Sequence, residues 1–61
     1  MSRHDDVFQM IGELNGVEVM EVMESLDPDG YQKYAQDPWD ALLIIAEYSP
    51  EKVVKAILDA L

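Results

Sequence analysis

The chain has 61 residues and no cysteine, so it forms one domain, residues 1–61, without disulfides or thiolate metal sites. A chain this short buries only about 60% of the surface its unfolded form exposes, which leaves helix packing, self-association or a bound partner to supply further stability. Thirteen acids against four bases give a net charge of −9, which repels phosphate backbones and anionic membranes and favours a basic protein surface as partner.

In chain order, residues 4–14 place Val7, Phe8, Ile11 and Leu14 on one side at helical spacing. Asp5 and Asp6 near the start of this segment complement the helix dipole, and His4 beside them reads as an exposed tail residue. Asn15-Gly16 reads as the close of the segment.

Residues 17–26 contain VEVMEV, which invites a strand reading. The adjacent pairs Val19–Met20 and Val22–Met23 break the alternation a strand needs. Wound as a helix, Val19, Met20, Val22, Met23 and Leu26 share an arc of about 160°. Glu18, Glu21, Glu24 and Ser25 occupy the opposite arc, so the segment is predicted to be helical.

The stretch SLDPDG resembles the first half of a calcium-binding helix–loop–helix site. With Gly30 at the sixth position, Ser25, Asp27 and Asp29 take the first three ligand positions. Lys33 and Gln36 then fall where an oxygen ligand and the closing bidentate glutamate belong. Pro-Asp-Gly has its own mechanism as a turn, because proline presets φ and glycine relaxes the steric limits. The stretch is read as a turn, and no metal or other cofactor is expected.

Residues 30–36 are predicted to form a short helix with Tyr31 and Tyr34 on one side. Asp37-Pro38 and Ser49-Pro50 each pair a capping residue with proline at the first helical position, and Asp40 stands where a reciprocal capping partner would. Residues 38–48 are apolar nearly all round, with Ala41–Ala46 uninterrupted, and are expected to form a central helix buried from several directions. Trp39 is expected to help pack the short helix onto the bundle. Residues 50–61 carry Val53, Val54, Ile57, Leu58 and Leu61 along a broad apolar face. The predicted fold is all-α, a compact bundle of four to five short helices.

Function is read from the surface. The lone histidine, the absence of a phosphate loop or zinc pattern, and the lack of a nucleophile with a nearby base point to a non-enzymatic protein. No signal peptide or membrane-length apolar run is present, so a cytoplasmic location is expected. Candidate partner-binding residues are Glu18, Glu21, Glu24, Asp27 and Asp29, with Tyr31 and Tyr34 as interface aromatics. Val54, Leu58 and Leu61 are candidates for self-association as a homodimer, because residues 31–61 carry only −2 against −7 for residues 1–30. The expectation is a protein–protein interaction module, a small acidic regulator or adaptor. The alternative is a mimic of nucleic acid, of the kind phages make, that occupies the basic groove of a nucleic-acid-binding protein.

Overall fold

The computed structural model describes residues 3–61, with side chains from Asp5 onward, so the His4 side chain lies outside the described residues. Among the described residues there are four α-helices, one short 3₁₀ helix and no strand. Helix α1 spans Arg3–Glu13, α2 Gly16–Leu26, α3 Pro38–Tyr48 and α4 Pro50–Ala60, with the 3₁₀ helix Tyr31–Tyr34 between α2 and α3. Each follows its predicted segment to within a few residues at the ends.

The helix ends show why the boundaries fall where they do. Asn15, read from the sequence as the close of the first segment, opens α2. Its Oδ1 accepts the Glu18 N–H at 2.9 Å, and the Glu18 carboxylate accepts the Asn15 N–H at 2.9 Å. This reciprocal capping box satisfies two backbone donors that a helix start otherwise leaves unpaired. At α3 the Asp37 carboxylate accepts the Asp40 N–H at 3.2 Å. The expected reverse bond is replaced, since the Asp37 N–H donates to the Tyr34 carbonyl at 3.1 Å. Ser49 corrects the sequence reading. Its side chain makes no capping bond, and its backbone carbonyl instead accepts from Lys52 and Val53 at 3.1 and 3.3 Å.

The predicted periodicities become the core. Val7 and Ile11 of α1 meet Val19, Val22 and Met23 of α2, Leu42 and Ala46 of α3, and Val53, Ala56 and Ile57 of α4. All are buried, and among the described residues no buried side chain is polar. Helix α3 packs against α1, α2 and α4, which fits its predicted central place. It is not covered on every side, however. Ile44 and Tyr48 are 51% and 82% exposed, because the bundle closes round the Leu42–Ala46 face and leaves the opposite face to solvent.

The radius of gyration, 10.3 Å, is close to the value of about 10.5 Å expected for a compact chain of this length. The accessible surface, 4151 Å², is likewise near the roughly 4000 Å² expected of a folded monomer of 6.9 kDa. No described helix is long and apolar enough to cross a membrane.

Leu42 is fully buried at the meeting of the helices, whereas Ile44, two residues on, faces out. Leu42→Ala is expected to cost about 2–5 kcal/mol in chemical denaturation, and Ile44→Ala less than about 1 kcal/mol. Equal losses would show that α3 is not packed by the face described.

Candidate binding groove

The outer side of α2 forms one wall of an open groove of about 530 Å³, and the 3₁₀ helix with the start of α3 forms the other. Val17, Met20, Pro38 and Trp39 supply apolar lining. Glu21 and Glu24 line the same groove, as does Tyr31, and the lining contains no basic residue. Helical winding explains the α2 wall. Met20, Glu24, Val17 and Glu21 follow one another around the helix within about 100°. The carboxylate face of α2 therefore carries apolar residues within it.

Trp39 holds one end of the groove. Its indole N–H donates to the Leu14 carbonyl at 3.3 Å. A Cβ placed on Gly16 would stand 3.4 Å from the Trp39 Cη2, so the ring lies close against the glycine that starts α2. With 38% of its surface exposed, Trp39 braces the α1–α2 junction and still faces the groove. That differs from the expectation that it would pack the short helix onto the bundle.

The predicted partner-binding residues divide. Glu21, Glu24 and Tyr31 come together on the groove. Glu18 is held in the capping box. Asp27 is half-buried and committed to the turn, where its carboxylate accepts the Gly30 N–H at 3.0 Å and its carbonyl the Tyr31 N–H at 2.9 Å. A Cβ on Gly30 would lie 2.8 Å from the Asp27 Oδ2, so a larger residue there would push that carboxylate aside. Asp29 is exposed in the same turn. Tyr34 opens onto a separate depression of about 380 Å³ that it shares with Lys33, Asp40 and Ile44, and the Lys33 ammonium sits 5.2 Å from its ring centre. Asp59 of α4 shares a further depression with Glu21 and Glu24 and extends the carboxylates across two helices.

The predicted self-association residues keep their common flank. Leu58 and Leu61 are 72% and 56% exposed, and half-buried Val54 adjoins Met10 and Asp6 of α1. Asp59 stands on the other flank of α4, beside α2, so this stripe is separate from the groove. Among the described residues no cluster of three or more His, Cys, Asp or Glu is placed to hold a metal ion. Compared with protein-family models, curated proteins and solved structures, the chain matches none.

Sequence reading missed Val17, Met20, Pro38 and Trp39 as parts of one surface. The available signal was Val17, an apolar residue within the glutamate arc, together with its 70% exposure once the helix forms.

The Asn15 cap sets where α2 begins and thus where Gly16 and Val17 meet Trp39. Asn15→Ala is expected to cost about 1 kcal/mol. Followed by circular dichroism, the melting temperature should drop by roughly 4–8 °C. Asn15→Asp, which keeps the acceptor, should stay near the parent.

Proposed function

We propose that this protein is a non-enzymatic binding module, a small acidic regulator or adaptor, and that its α2 groove receives a protein segment bearing both apolar and basic side chains. One observation carries the reading: an apolar lining and two exposed glutamates share one groove whose lining has no basic residue. Apolar contact supplies affinity at such a surface, while the carboxylates speed encounter and select a basic partner.

Peptides selected from a random display library on the intact protein should combine Lys or Arg with bulky apolar residues. The double variant Glu21→Gln, Glu24→Gln should weaken their binding by about tenfold, corresponding to the loss of roughly one good charge contact. Selected peptides without basic residues, or binding indifferent to the double variant, would refute the reading.

The nucleic-acid-mimic reading has its own support in the carboxylates of Glu21, Glu24 and Asp59, which adjoin across α2 and α4. Salt separates the two. A charge-driven decoy loses affinity steeply as ionic strength rises, whereas a groove with an apolar lining loses little.

For the α4 stripe we propose a second copy of the chain as occupant. Supporting this are the exposed Leu58 and Leu61 and the low charge of residues 31–61 relative to residues 1–30. Sedimentation equilibrium from micromolar to millimolar concentration should show a monomer–dimer equilibrium that Leu58→Glu abolishes. A monomer mass throughout would sink it.

A further inference from the structure

The two ends of the α2 groove differ, and the difference specifies the order of groups on its occupant. At one end Val17 stands with Trp39, whose ring is braced over Gly16. Glu24 lies toward the other end of the helix, and Tyr31, whose backbone N–H donates to the Asp27 carbonyl just beyond the end of α2, lines the same groove. Glu21 lies between them on the same wall. Val17 and Glu24 are seven residues apart on one helix, which separates them by about 10 Å along its axis. The last turn of α2 has no basic residue, so the negative end of the helix dipole adds to the Glu24 charge.

We propose that the occupant is an amphipathic helix that presents a bulky apolar residue and an arginine two turns apart. This rests on the reading above, that the groove takes a protein segment. The apolar residue seats against Val17 and Trp39, and the guanidinium against Glu21, Glu24 and Tyr31. Grooves between helices suit helical ligands. Residues seven apart on a helix return to one face within about 20° and span the same 10 Å as the two ends of the groove. Arginine fits better than lysine for two reasons. Its planar guanidinium stacks on an aromatic face, and its fork can engage two carboxylates whose Cβ atoms, three residues apart on a helix, lie about 5–6 Å from each other.

Trp39 is the only tryptophan, so its fluorescence reports occupancy by any tryptophan-free peptide. The probe is an alanine–glutamine helix of about 20 residues with a central leucine and an arginine seven residues to either side, so that either chain direction can satisfy the groove. The expected result is a saturable change in Trp39 emission. Affinity should fall about tenfold when both arginines move to five residues from the leucine, which turns them about 140° away. It should also fall when lysine replaces arginine, and when Glu24→Gln is made in the protein. Glu24 is exposed, and circular dichroism of that variant should match the parent. Equal affinity at both spacings, or for lysine and arginine, would overturn the proposal. If Glu21→Gln, Glu24→Gln still weakened those peptides, the groove would remain a general basic-segment site. Failure of every one of these helices to bind, while library-selected peptides still bind in a manner that Glu21→Gln, Glu24→Gln weakens, would overturn the helical occupant alone; failure of the selected peptides as well would overturn both readings.

Discussion

The hydrogen bond from the Trp39 indole to the Leu14 carbonyl joins positions twenty-five residues apart and ties the α1–α2 junction to the start of α3. Leu14 follows α1, where a helix leaves carbonyls without partners inside the helix. The indole satisfies this carbonyl from the first turn of α3. The ring lies close to Gly16, and Asn15 sets the start of α2 beside it. Three short-range features therefore meet in one long-range contact. The groove inherits its geometry from that junction, because Val17 and Trp39 flank it directly.

Helix α2 serves two surfaces at once. Val19, Val22 and Met23 lie wholly inside the core, while Glu21 and Glu24 face solvent a residue or two away. Glutamates at three-residue spacing repel by a few tenths of a kcal/mol per pair. Burial of one valine contributes roughly 1.5–3 kcal/mol, so the inner face outweighs the repulsion on the outer one. A carboxylate row is thus compatible with a stable helix.

Much of this arrangement was legible in the sequence. The glutamates separated the faces of residues 17–26, and the Asp-Pro and Ser-Pro pairs marked the starts of α3 and α4. Legibility declined where a residue serves two roles or meets a distant one. Asn15-Gly16 looked like a terminator because both residues are common there, yet the same asparagine caps the next helix through Glu18. Ser49 looked like a cap by type, but capping depends on the side-chain rotamer as well as identity, and its hydroxyl makes no capping bond. The nearly apolar α3 hid its exposed face, since an isoleucine gives no sign of which way the bundle will turn it. The groove was the least legible, because it unites α2 with residues brought in from beyond the Asp27–Gly30 turn. Periodicity within one helix carries no information about that meeting.

The capping box also bears on the chemical lifetime of the molecule. Asparagine followed by glycine is the pair most prone to deamidation, in which the glycine nitrogen attacks the asparagine side-chain carbonyl carbon, the amide nitrogen leaves as ammonia, and a succinimide ring closes. Here that carbonyl is engaged with the Glu18 N–H, and the Asn15 backbone N–H is held by the Glu18 carboxylate. Ring closure requires the side chain to leave its cap, so local fraying of α2 gates the reaction. Opening of the ring to aspartate would restore a capping acceptor and add a negative charge. Opening to isoaspartate would lengthen the backbone by one carbon and remove the geometry that starts the helix. The same few bonds that define where α2 begins thus hold the side-chain amide in its cap and oppose ring closure.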